Sequence, residues 1–121
     1  MEPAASDLAR HLRIGTAEEM ASAHTRSHLR DGRVVGWYGA PGAVIDAEMY
    51  DDPVPARLAE RFGVENFWER WTATECAVKR ADGSMLQWMG TRGLDPGDHR
   101  VVTLRDAPVA GVLVSMLLPG M

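Results

Sequence analysis

Residues 109–118 constrain the fold more than any other part of this chain. Laid out as a strand, Ala110, Val112, Val114, Met116 and Leu118 fall on one face, and Val109, Leu113 and Leu117 fall on the other. Both faces are apolar. A strand in an antiparallel sheet with one wet side alternates apolar and polar residues, so this strand must be covered on both sides. Helices can supply one cover. The other must come from a sheet that curls over and encloses a pocket, or from a second copy of the chain.

The 121 residues are enough for one core, and no repeat, low-complexity stretch or linker divides them. The first part, 1–32, reads as helical. Leu8 and Leu12 stand four apart before Gly15, and Thr16-Ala17-Glu18-Glu19 matches the reciprocal capping box that opens a helix. That helix is expected to run to about Arg30, with Ala17, Met20, Ala21, His24 and His28 on one narrow stripe. The period then changes to two. Residues 33–38 and 43–50 read as strands around the turn Gly39-Ala40-Pro41-Gly42. Asp52 and Pro53 suit the start of a short helix that Gly63 ends. The aromatic run Phe67, Trp68 and Trp71 fits a helix or a strand. Alternation over 72–80 and 85–92, with Asp82-Gly83 between, reads as a hairpin, and 99–105 and 109–118 complete a meander. The expected fold class is therefore α+β, with N-terminal helices on a curved, mainly antiparallel β-sheet (33–121) that carries one inserted short helix.

Composition removes several function classes. A net charge of −4 gives no excess of Lys and Arg for a phosphate backbone, so nucleic acid is not an expected partner. A single cysteine, Cys76, forms no internal disulfide and fits a reducing, cytoplasmic setting; its alternation with Thr74 and Val78 makes it a small core residue. No run approaches the roughly 20 apolar residues of a membrane span, and the acidic N-terminus lacks the features of a signal peptide. Basic residues are almost all arginine, as in a GC-rich genome. No G-x-S-x-G, phosphate loop, G-x-G-x-x-G or Cys-x-x-Cys occurs, and no cofactor is expected.

Candidate chemistry falls in three places. Asp46 and Glu48 stand two apart on a strand and project from one face. Lining a pocket, they would repel each other and raise one pKa into the range of a general acid or base; facing water, they would be solubilising charges. His24 and His28, four apart on the expected helix, would share one face of that helix and are further candidates for catalysis. The intervening Thr25-Arg26-Ser27 lacks a zinc-protease glutamate and no third ligand stands out, so no metal is expected. Trp37, Tyr38 and Trp88 could wall a cavity for a flat or apolar ligand. Arg92 and His99, flanking the loop 93–98, could hold an anionic group at its mouth.

The order helix, helix, two strands, helix, four strands resembles the cone-like α+β barrel of the nuclear transport factor 2-like (SnoaL-like) superfamily; a chorismate-lyase-like sheet has a similar pattern. Either resemblance implies an apolar pocket between helices and sheet. It implies small-molecule binding, or isomerase, cyclase or lyase chemistry, on an apolar or aromatic metabolite, as in secondary metabolism. The alternative is a non-catalytic interaction module that uses an apolar sheet face. Because three helices, two of them short, would leave one sheet face bare, a homodimer through the sheet is also expected.

Overall fold

In the computed structural model, which describes residues 5–119, both faces of the terminal strand are covered from within one chain. The elements run α1 (Ala5–Ala9), β1 (Leu12–Gly15), β2 (Thr25–His28), β3 (Val34–Trp37), β4 (Val44–Met49), α2 (Ala56–Phe62), α3 (Phe67–Arg80), α4 (Met85–Arg92), β5 (Val101–Arg105) and β6 (Val112–Leu117). The fold is α+β. The strands form two antiparallel sheets of three, in the orders β1-β3-β2 and β4-β6-β5. The described strands close no barrel.

Every residue of β6 is buried. On one side Val112, Val114 and Met116 join Ile45 and Ala47 of β4, Leu104 of β5, Leu12 and Val35 and Trp37 of the other sheet, and Leu8 of α1. The second cover is thus the neighbouring sheet, curled over the first. On the other side lies α3, whose Thr72 hydroxyl meets the Ser115 hydroxyl at 2.6 Å and whose Cys76 thiol donates to the Ser115 carbonyl at 3.3 Å. Among the described residues, β6 presents no bare face of the kind from which a homodimer is expected. Between the sheets, β2 and β4 lie side by side without a backbone ladder. Instead the Ala47 N–H donates to the Ser27 hydroxyl at 2.9 Å, so a side chain supplies the acceptor that a paired strand would.

The expected helix 16–30 does not form. Its capping box does: the Glu19 N–H donates to Thr16 Oγ1 at 3.1 Å, and the Thr16 N–H donates to Glu19 Oε1 at 2.8 Å. The chain makes only tight turns after that, with bonds from Met20 to Thr16 O and from Ala23 to Met20 O, and then enters β2. Tertiary pairing decides the outcome, because Thr25 to His28 complete a ladder with Trp37 to Val34. Of the expected stripe only Met20 is buried; Ala17, Ala21, His24 and His28 are exposed. A Cβ at Gly36 of β3 would come within 2.9 Å of Ala23 Cβ and 3.0 Å of the Met20 sulfur, so glycine there admits the turn.

The expected hairpin 72–92 is a pair of helices. Thr72 and Thr74 resemble strand residues, yet their hydroxyls donate to the carbonyls of Trp68 (2.9 Å) and Arg70 (2.7 Å) one turn back, which satisfies them inside α3. Asp82-Gly83 ends that helix rather than turning a hairpin. Asp82 is left-handed (φ 53°), its N–H donates to Lys79 O, and the Gly83 N–H donates to Val78 O, the two bonds of a Schellman motif. Ser84 then caps α4, accepting from the Gln87 N–H at 3.5 Å. The short helix before Gly63 forms as expected but starts at Ala56; Asp52 does not cap it. The element order that carries the barrel resemblance is therefore not the order observed.

Packing at the sheet interface sets the expected response to truncation. Ile45→Ala, at a fully buried site between the sheets, is expected to lower unfolding free energy by about 2–5 kcal/mol in urea denaturation. Leu86→Ala, on an exposed face of α4 (77% exposed), is expected to change it by less than about 0.5 kcal/mol. Equal effects at the two sites would contradict this core.

Candidate functional site

The alternation of β4 divides its side chains between two environments. Ile45 and Ala47 enter the core, while Asp46 and Glu48 lie on the face that meets α3. Across the sheet Asp46 is opposite Ser115, itself opposite Thr103, and Glu48 is opposite Leu113. The Ser115 hydroxyl bonds to both Thr72 and Thr103 (2.6 and 2.7 Å), so polar groups run under the helix in one continuous row. The helical spacing of Thr72, Cys76 and Lys79 brings all three onto this row.

Asp46 is buried. Its Oδ1 accepts from Lys79 Nζ at 2.9 Å and from the Ser27 hydroxyl at 3.4 Å, while Oδ2 is buried without a partner among the described residues. Burial raises the Asp46 pKa, and Lys79 partly offsets the rise. Glu48 is half-buried, and among the described residues no hydrogen bond or ion pair holds its carboxyl. Its pKa is pushed up to about 7, first by burial and then by the negative charges of Asp46, Asp52 and Glu75, with only Arg30 acting against them. Glu75 on α3 is also raised, by burial and by Asp46. Burial likewise pushes up the Cys76 thiol, which leaves it a core group and no nucleophile.

Glu48 opens on a cleft of about 320 Å³ lined by His28, Leu29 and Arg30 at the end of β2, Asp52, Pro53 and Pro55 before α2, and Trp68 of α3. The Trp68 indole N–H donates to the Asp52 carbonyl at 2.9 Å, which ties the helix to the cleft rim. Arg30 approaches Asp52 at 3.8 Å, with its side chain 68% exposed. The cleft combines a carboxyl that titrates near neutrality with an aromatic wall, an imidazole and a loosely held guanidinium.

Two of the four residues proposed for catalysis therefore meet here, Glu48 and His28, and Asp46 supports them from behind. His24 and His28 do not act as a pair. They lie on an extended segment rather than a helix, and four residues of strand separate them by about 13 Å, too far to share one ion. Among the described residues no three His, Cys, Asp or Glu side chains converge as a metal site would require.

The expected ligand-binding residues divide between two other regions. Trp37 lines a second, more apolar cleft of about 290 Å³ with Asp7, Leu8, His11, Ala40, Leu118 and Pro119. Its indole N–H is committed to Ala40 O at 2.9 Å, and the His11 ring stands edge-on to it at 5.5 Å. Tyr38 points elsewhere, its hydroxyl 3.8 Å from the Met20 sulfur. Trp88 and Arg92 form a unit of their own: Arg92 stacks over the indole at 5.1 Å, and the indole N–H donates to Asp95 O at 2.7 Å. His99 is half-buried just before β5, and neither it nor Trp88 nor Arg92 lines either cleft. Arg30, Asp52, Glu75 and Lys79 carry no signal in the sequence that marks them for this site, and Trp68 stands out there only as one of several aromatics able to fill a core or wall a cavity. Trp68 and Lys79 become visible as partners of β4 only once α3 is recognised as a helix.

No protein-family profile, curated protein or solved structure matches this chain. No helix among the described residues is long and apolar enough to cross a membrane.

The raised carboxyls fix the sign of the pH dependence. Glu48 holds its proton to about pH 7 in the folded state, against an ordinary value of 4.5. The folded chain thus binds the proton more tightly, and the contribution is complete below about pH 4.5 and lost as pH climbs to about 7. Asp46 and Glu75 act in the same direction. The urea midpoint is expected to fall between pH 5.5 and pH 8, and Glu48→Gln is expected to flatten that fall and to be the more stable protein at pH 8. Parallel pH profiles for the two proteins would contradict the assignment.

Proposed function

We propose that the cleft between β2, β4 and α3 is a small-molecule site in which Glu48 transfers a proton, making this a small enzyme of the isomerase or lyase type. The observation that carries this reading is an unpaired carboxyl at the wall of a cleft, held near neutrality by its surroundings. A proton-transfer group works best when its pKa lies near the operating pH, because it can then both accept and return the proton. Asp46 and Glu75 supply the negative field, and the Lys79 ammonium anchors Asp46 so that the field stays in place. Trp68, Leu29, Pro53 and Pro55 offer a substrate apolar surface, while His28 and Arg30 stand at hand for polar groups.

The alternative of a non-catalytic interaction module requires a bare apolar sheet face. β6 is buried on both sides, and the exposed large apolar side chains among the described residues are Val64, Leu86 and Val109, which lie on different segments. The Trp37 cleft could hold an apolar molecule, but the one carboxylate at its lining, Asp7, is exposed.

Ligands found by screening small molecules against the native protein provide the test. Bound ligands with an acidic C–H are expected to exchange that hydrogen with deuterated water in the presence of the protein, and Glu48→Gln is expected to abolish the exchange while His24→Gln leaves it unchanged. Ligand binding at Trp68 with no exchange in any case, or full exchange with Glu48→Gln, would refute proton transfer by Glu48.

A further inference from the structure

The charges around the Glu48 cleft do not balance. On the acidic side are Glu48 and Asp52 at the lining, with Asp46 and Glu75 acting from behind. Two cations face them. Lys79 is engaged, donating to Ile45 O at 3.0 Å and to Asp46 Oδ1 at 2.9 Å. Arg30 reaches Asp52 only at 3.8 Å and is largely in solvent, where such a pair contributes little. Asp46, only 7% exposed and on the same face of β4 as Glu48, keeps its Oδ2 buried and without a partner among the described residues. Arg105, two strands from Glu48 in the same row, is occupied by Glu69 at 3.5 Å and by the Tyr50 ring at 3.8 Å. His28 lines the rim and is exposed.

Burying negative charge without a counter-ion is costly, and the structure leaves room for one. The lining of the cleft includes one aromatic ring, that of Trp68. Since the Trp68 N–H is already used by the Asp52 carbonyl, what Trp68 can offer a ligand is its ring. An indole is the best of the side-chain rings at attracting a cation.

Resting on the reading of this cleft as a small-molecule site, we propose that its ligand is a small organic cation, an amine or quaternary ammonium on a short apolar body. The charged nitrogen pairs with Glu48 and Asp52, and the apolar part packs on Trp68, Leu29 and the two prolines. Bound there, the cation supplies the positive charge that Lys79 and Arg30 do not, and it favours the ionised form of Glu48. Binding therefore strengthens as pH rises through neutrality and releases a proton below it.

Calorimetric titration of the native protein with benzylamine, benzyltrimethylammonium, benzyl alcohol and benzoate tests this. At pH 8 the two cations are expected to bind, the alcohol at least about tenfold more weakly, and benzoate more weakly still. Glu48→Gln and Trp68→Leu are each expected to weaken benzylamine by about tenfold or more. The gain in affinity from pH 5.5 to pH 8 is expected to persist in His28→Gln and to vanish in Glu48→Gln. Benzoate binding as tightly as benzylamine, equal affinity for the amine and the alcohol, or a pH profile that disappears with His28 would each overturn the cation assignment. Failure of all four probes while other small molecules still bind at Trp68 would overturn it too. Those results leave the proton-transfer reading standing. Unchanged benzylamine affinity in Glu48→Gln, together with hydrogen exchange that does not need Glu48, would remove both.

Discussion

The Lys79 ammonium sits between an aspartate side chain and a strand carbonyl, donating to Asp46 Oδ1 at 2.9 Å and to Ile45 O at 3.0 Å. The rest of the arrangement depends on this contact, because it pins the last turn of α3 to β4. Lysine suits the position: it brings a compact point charge on a long apolar stem, where an arginine would present a broad planar fork. With Thr72 bonded to Ser115 the middle of the helix is fixed, and with Lys79 its last turn. The thiol of Cys76 lies between, donating to a strand carbonyl. The side of the sheet under α3 is thus polar in its middle, which is unusual for a helix–sheet interface and requires every group to find a partner.

One atom does not. The buried Asp46 Oδ2 has no partner among the described residues, and the cost of that charge is shared by its neighbours. Lys79 offsets Asp46 directly, while Glu48 and Glu75 hold their protons more tightly, first because they are half-buried and then because they feel the Asp46 carboxylate. The aspartate that positions the helix therefore also adds to the altered acidity of a carboxyl at the wall of a cleft. Structure and candidate chemistry share a cause here: a polar core row that is nearly, but not fully, neutralised.

Much of this was legible in the sequence. Of the expected strand 109–118, Val112 to Leu117 form it and are covered on both sides, while Val109 and Ala110 are exposed in the turn before it; the alternation of β4 placed Asp46 and Glu48 on one face, as observed. What misled was local chemistry that serves two structures. Thr16 and Glu19 form their capping box, but in a turn, since the residues that follow gain more by pairing with β3. Asp82-Gly83 is a hairpin signal when strands flank it and a Schellman cap when a helix precedes it. Its left-handed aspartate serves both. The discriminating signal lay just beyond: Ser84 with Gln87 three residues on is a helix start, which a hairpin has no use for. Reading 72–80 as a strand hid Glu75 and Lys79, whose relation to β4 appears only at helical spacing, and left Trp68 open between helix and strand. Ser27, on a segment read as helix, gave no hint that its hydroxyl would join two sheets.

The most direct test of this account is the titration of the Glu48 side-chain carboxyl itself, followed by carbon-detected NMR on protein labelled at glutamate, with Glu48→Gln to assign the signal. The account predicts a midpoint near 7. A midpoint at the ordinary value of 4.5 would show that neither burial nor the charges behind the cleft act on Glu48, and would contradict the account.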